Sequence, residues 1–197
     1  MNIRTPICLL VGLAALNLCA AAEDVRDGDI IFQRSKSRQD QAISAATKSK
    51  YTHVGIIFFS EGRPFVYEAS QPVTRTPLEA WTQRGRAGHY VIKRLKNPSK
   101  VDFARVKKET DGFLGKDYDW LFGWSDDRIY CSELVWKAYQ RGAGVELCAP
   151  RKLRDFDLSS QVVRDLMKAR YGDKVPLEMD VVAPSDLFES KKLITVE

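Results

Sequence analysis

The 197-residue chain predicts an α+β fold in which a mostly antiparallel sheet packs against one amphipathic helix. Three observations carry that expectation. Two β-branched and aromatic runs flank Ser60-Glu61-Gly62-Arg63, the composition of a hairpin. Cys131, Leu134, Val135, Ala138 and Gly142 recur at the spacing of one helical face, with Gly142 and Gly144 as its stop. No linker composition interrupts residues 23–197, so one domain is expected there.

Residues 1–22 differ in kind. Arg4 is their only charge, Ile7 to Leu18 is almost wholly apolar, and Ala20-Ala21-Ala22 precedes Glu23. This is the layout of a secretory signal peptide cut near Ala22, which predicts an exported protein, periplasmic or secreted. The apolar run is short for a membrane span of roughly 20 residues. Leu18 stands where a lipid-modified Cys19 would expect a small residue.

Asp27-Gly28-Asp29 is a turn feeding a buried strand at residues 30–33, and Ala42, Ile43, Ala45 and Ala46 mark a short helix within 39–47. The hairpin follows, with strands at 51–59 and 64–69. With Glu61-Gly62 at its tip, Gly55 faces Glu68 and His53 faces Ser70. His53 and Glu68 are then diagonal neighbours on one face, and a slip of one residue would part them. Residues 72–86 read as a connection with a short helix at 78–81, and residues 89–95 as a strand. Pro98-Ser99 opens a helix running to about Gly115 on Val101, Ala104, Val106, Phe113 and Leu114. A polar and aromatic loop at 115–120 leads toward the Cys131 helix. A further helix spans 159–171 on Val162, Val163, Leu166 and Met167; a strand at 181–182, a helical turn at 184–187 and a strand at 193–196 complete the chain.

The formal net charge of +5, or +4 once Arg4 is removed, is spread along the chain as on a solvated surface. No basic cluster calls for a nucleic-acid partner. Acidic envelope polymers and transient contact with an anionic membrane surface fit the mild excess. Nothing in the pattern indicates an oligomeric state.

Cys131 at a helix start meets unpaired N–H groups and the positive dipole end, which favour a thiolate. A thiol nucleophile needs an imidazole and a group that orients it. Of the two histidines, His53 has a carboxylate on its hairpin partner, whereas His89 has no evident acid, so Cys131, His53 and Glu68 form the candidate site. Two other uses of these residues stand beside it. Cys8 and Cys19 leave with the signal peptide, so Cys131 and Cys148 could form a disulfide. One strand histidine and two distant cysteines lack the close ligand pairs of a structural zinc site, so no metal or other cofactor is expected.

Asp29-Ile30-Ile31, Thr52-His53-Val54-Gly55-Ile56, Tyr67-Glu68-Ala69 and Tyr130-Cys131-Ser132-Glu133-Leu134-Val135 together resemble the motifs of circularly permuted papain-like cysteine hydrolases, the YiiX-like branch of the NlpC-type superfamily. The resemblance covers most of the mature chain, including residues 115–120, and the order of histidine, acid, cysteine reverses that of ordinary papain-like enzymes. It implies a permuted papain-like fold, with Cys131 as nucleophile, His53 as general base and Glu68 as the orienting residue. It also implies that Tyr118 assists an oxyanion hole beside the backbone N–H of Cys131, and that the substrates are amides, such as those of peptidoglycan peptides. Glu133 stands where the superfamily often has glycine.

The expected function is therefore an exported cysteine amidase acting on cell-envelope amides through an acyl-enzyme. A lipid acyl hydrolase or acyltransferase would use the same thiol, with Tyr118, Trp120, Phe122 and Trp124 lining an apolar acyl slot. A non-catalytic envelope-binding module would carry the Cys131–Cys148 disulfide instead.

Overall fold

The hairpin turn organises the sheet. Glu61 and Gly62 both adopt positive φ, 52° and 74°, in the computed structural model, the type I′ pattern whose twist matches that of paired strands. The structure describes residues 24–37 and 39–196; the expected signal peptide, with Cys8 and Cys19, lies outside them.

The first half of the chain forms β1 (Ile30–Gln33), α1 (Asp40–Thr47), β2 (His53–Ser60), β3 (Arg63–Glu68), β4 (Thr74–Pro77), α2 (Leu78–Arg84) and β5 (Tyr90–Leu95). Then come α3 (Phe103–Asp111), β6 (Asp117–Tyr118), β7 (Arg128–Ile129) and α4 (Cys131–Ala143). The remainder is β8 (Arg151–Lys152), α5 (Gln161–Tyr171), β9 (Asp180–Val181), α6 (Pro184–Phe188) and β10 (Leu193–Thr195). The main sheet runs β10-β5-β1-β2-β3-β4 with antiparallel neighbours throughout. Ser60 pairs with Arg63 and Ile56 with Tyr67, the register expected from the turn.

Several elements depart from the sequence expectation: β6 lies inside the expected loop at 115–120, α2 runs on to Arg84, and two differences are larger. Residues 74–77 form an edge strand on β3, not part of a plain connection. Thr-Arg-Thr-Pro has no apolar alternation to announce it, and a strand ending in Pro is tolerated only at an edge. The expected helix from 98 to about 115 is shorter: a 3-10 turn at Pro98–Lys100 precedes α3, whose N-cap Asp102 accepts from Ala104 N–H at 3.0 Å.

Both faces of the sheet are covered. Ile30, Phe32, Val54, Ile56, Phe58 and Tyr67 pack toward α4, and Ile31, Ile57, Val66 and Ile92 pack with Trp81 on the other side. That explains why Val54 to Phe58 carries no polar alternation although the sheet is antiparallel. α4 lies close on α3: a Cβ at Gly142 would stand 2.6 Å from the Val106 Cα. A third apolar cluster joins α1 and α5 through Ala42, Val163 and Met167.

α4 is buried nearly all round, beyond the single face its spacing announces. Its two internal charges satisfy each other. Lys137 Nζ stands 2.7 Å from Glu133 Oε1, and the Tyr130 N–H donates to Glu133 Oε2 at 3.3 Å. Lys137 also donates to the Trp124 and Ser125 carbonyls and to Asp126 Oδ1, tying the 124–126 loop to the helix. Glu133 is thus a helix-capping and charge-pairing residue; burial raises its pKa to about 7 against the opposing pull of Lys137.

Candidate active site

The site forms where the start of β2, the end of β3 and the start of α4 converge. Glu68 is 1% exposed, so its charge requires partners. His53 Nε2 donates to Oε2 at 2.6 Å and Trp81 Nε1 to the same oxygen at 3.0 Å. Thr76 Oγ1 donates to Oε1 at 2.7 Å, and Arg84 Nη2 donates there as well. Trp81 also stacks on the imidazole, with centroids 5.9 Å apart and planes at 24°. Glu68 holds one ring nitrogen, and Cys131 is the other hydrogen-bonding and charged neighbour of the imidazole.

The electrostatics follow from this geometry. Burial opposes charge on His53, but hydrogen bonds and attraction from Cys131 and Glu68 outweigh it and raise the imidazole to about 10. Burial likewise opposes charge on Glu68, yet His53, Thr76 and Arg84 outweigh it and lower the carboxyl to about 2. His53 and Glu68 therefore stand as an ion pair at neutral pH, beside the buried thiol at the first position of α4. The first amides of a helix have no intrahelical acceptor.

Tyr118 ends β6 and is held by two hydrogen bonds. Its N–H donates to Gln71 Oε1 at 2.8 Å, and its hydroxyl accepts from Gln39 Nε2 at 2.9 Å. Arg170 donates to the other end of the Gln39 amide. Because arginine only donates, Gln39 must present its carbonyl to Arg170 and its NH₂ to Tyr118. The tyrosine proton is then free to be donated elsewhere. Burial foremost, then the charge of Cys131, keep Tyr118 protonated well above the ordinary phenol range.

All four residues singled out from the sequence thus come together. His89 does not; it stacks on Tyr51, 6.3 Å between centroids. Sequence reasoning missed Thr76, Trp81, Arg84, Gln39 and Arg170. The first three come from the unannounced β4 and the helix after it, and the last two meet across 131 residues of chain, a juxtaposition no local pattern signals.

Two cavities open on the site. One, ≈70 Å³, is lined by Cys131 and by side chains such as Phe122, Ala46, Leu166 and Met167. The other, ≈330 Å³, is lined by His53 and by Lys36, Gln33, Arg84 and Trp120. Tyr118 belongs to both. Of the four aromatics considered for an acyl slot, Tyr118 and Phe122 line the first cavity, Trp120 lines the second, and Trp124 packs edge-on to Trp136.

The Cys131–Cys148 disulfide is not formed: both thiols are free. Trp136 projects about 140° around α4 from Cys131 at 3.6 residues per turn, and its Nε1 holds the Cys148 carbonyl at 2.8 Å. The chain after α4 thereby docks away from the Cys131 face. Burial pushes the Cys148 thiol up to about 12.

The family model described as permuted papain-like amidase enzyme, YaeF/YiiX, C92 family, matches residues 24–197. The uncharacterized protein YiiX of Escherichia coli strain K12 is 42% identical over 189 residues, covering 95% of this chain and 94% of that protein. A crystal structure of YiiX from Escherichia coli O157:H7, described as a metalloprotein, superposes with a TM-score of 0.83 at 42% identity, covering 87% of this chain and 96% of that one.

Proposed function

The chain belongs to the permuted papain-like amidase family, and from that premise we propose that it is an exported cysteine amidase with Cys131 as nucleophile. Cys131 thiolate attacks the amide carbon, and the α4 N-terminal amides with the Tyr118 hydroxyl stabilise the oxyanion. His53 protonates the departing amine, then takes a proton from the water that resolves the thioester. Glu68 fixes the ring so that one nitrogen is always turned to the sulfur. The substrate is an amide of the cell envelope, peptidoglycan peptides among them, reached after removal of the leader near Ala22.

The single observation that carries this reading is His53, bonded to Glu68 through Nε2 and raised in pKa by Cys131 as well as by Glu68. The description of one relative as a metalloprotein does not alter it. Among the described residues no group of three or more His, Cys, Asp or Glu could hold a metal ion, and both oxygens of Glu68 are engaged by protein donors.

The deciding experiment is amide turnover by Cys131→Ala, with circular dichroism as the fold control. Turnover should vanish while the spectrum is kept; full activity in that variant would sink the assignment. A second reading, acyl transfer from a lipid through the same thiol, is favoured by the apolar cavity on Cys131.

A further inference from the structure

The cavity that His53 lines has a polar wall, and almost every polar side chain in that wall is already engaged. Gln39 and Gln71 both bond to Tyr118, Thr52 Oγ1 donates to Asp40 at 2.8 Å, and the three serines make hydrogen bonds within the protein. Arg84 donates to Glu68. Gln33 is the exception among the buried ones. It is 2% exposed, and its Oε1 has no hydrogen-bond partner among the described residues. A buried acceptor is costly to leave unsatisfied, so this one calls for a partner from outside the packed chain.

The sheet fixes where that partner must sit. Gln33 ends β1 directly across from His53 on β2, so the two side chains rise from one face, with Cβ atoms about 5 Å apart. The strand order β1-β2-β3 puts Gln33 on one flank of His53 and Glu68 on the other. Gly85, which follows α2, lies against the carboxamide. A Cβ there would stand 2.4 Å from Gln33 Oε1, and the three atoms it would meet first all belong to Gln33. The Gly85 backbone, φ −63° and ψ 162°, is open to any residue. Its bare Cα therefore serves to make room for the Gln33 amide.

We propose that Gln33 binds the leaving half of the substrate, its Oε1 accepting from the N–H of the departing nitrogen, and that it thereby selects amides bearing an N–H over esters. This rests on the thiol reading above and narrows it. Cys131 sulfur bonds to the acyl carbon, the C–N bond breaks with its electron pair on nitrogen, and the imidazolium proton passes to that nitrogen. The leaving group thus forms beside His53, in the cavity that Gln33 also lines. As positive charge develops on the nitrogen, its own N–H becomes a stronger donor, so the bond to Gln33 tightens toward the transition state. An ester oxygen has no hydrogen to give and sets a second acceptor against Oε1. Water then gives its hydroxyl to the acyl carbon and its proton to the imidazole, which restores the thiolate.

The test offers one acyl group on two leaving groups, N-acetylalanine p-nitroanilide and N-acetylalanine p-nitrophenyl ester, and reads the anilide-to-ester ratio of kcat/KM. Gln33→Met keeps the length of the side chain and removes its oxygen. The ratio should fall about tenfold from that of the unaltered protein, the scale of one hydrogen bond. Gly85→Ala keeps Gln33 but displaces its amide, and the ratio should fall in the same direction. Urea titration separates this from a structural role, because Gln33→Met breaks no side-chain hydrogen bond of Oε1 and should be at least as stable as the unaltered protein. A ratio unchanged in either variant, or one that falls in Gln33→Met only together with stability, overturns the role of Gln33. Mass spectrometry of the unaltered protein with both substrates reads the thiol independently. No acyl adduct on Cys131 from either overturns the thiol reading, whereas an adduct with an unchanged ratio overturns the role of Gln33 alone.

Discussion

Glu68 Oε2 accepts from His53 Nε2 at 2.6 Å, a bond between two strands whose alignment is set by the Glu61-Gly62 turn at the far end of the hairpin. The same carboxylate takes donors from β3's edge partner and from α2, so one buried acid joins the sheet edge to the imidazole.

Glu68→Gln keeps the shape and removes the charge. The amide must turn an NH₂ toward groups that are themselves donors, which frees the imidazole ring. We expect kcat to fall by up to about 10⁴, as for the acid-to-amide change in a Ser-His-Asp triad, with KM little changed. Steady-state kinetics across pH check this; an unaltered pH profile would mean that Glu68 does not govern the state of His53.

The His53–Glu68 pair also makes stability depend on pH with a definite sign. His53 is raised from 6.5 to about 10, so its contribution is fully present below pH 6.5 and is lost as pH climbs through 10. Glu68 is lowered from 4.5 to about 2, so its contribution is present above pH 4.5 and is lost as pH falls toward 2. Urea titrations should show this pair's contribution greatest between pH 4.5 and 6.5 and falling on both sides; in His53→Gln the alkaline decline should flatten.

Tyr118→Phe removes only the hydroxyl. If it donates to the oxyanion, kcat should drop by about 10²–10³ at nearly constant KM, the usual effect of losing one such donor. Gln39→Leu should lower kcat in the same direction by a smaller factor, because the hydroxyl then loses the partner that aims its proton. Equal kcat in Tyr118→Phe and the unaltered protein would leave the tyrosine a packing role.

Lys137→Met should unfold the protein more easily by about 3–5 kcal/mol, since it strands the buried Glu133 charge. Adding Glu133→Gln should recover much of that loss. Thermal denaturation of the single and double variants gives the comparison.

Gly142→Ala should cost about 1–3 kcal/mol, the penalty of overpacking, because the added methyl meets the α3 backbone at Val106. Its activity at a temperature where it stays folded should match the unaltered protein, since Gly142 lies at the opposite end of α4 from Cys131.

The sequence by itself determined the features written in local periodicity and turn chemistry. Glu61-Gly62 specified the turn, the turn specified the register, and the register placed His53 beside Glu68; the spacing from Cys131 to Gly142 specified α4. Only the tertiary structure decided the rest. β4 has no apolar pattern because an edge strand is stabilised by backbone pairing with β3, and with it came Thr76 and the placement of Trp81 and Arg84 on Glu68. Gln39 and Arg170 meet only because α1 packs on α5, and Cys148 is kept from Cys131 by the face from which Trp136 leaves α4. Each depends on contacts between distant segments, whose free energy comes from the packed core and leaves no mark in the neighbouring residues. The opening Cys131 makes onto an apolar cavity, while His53 lines a polar one, is likewise a product of that packing.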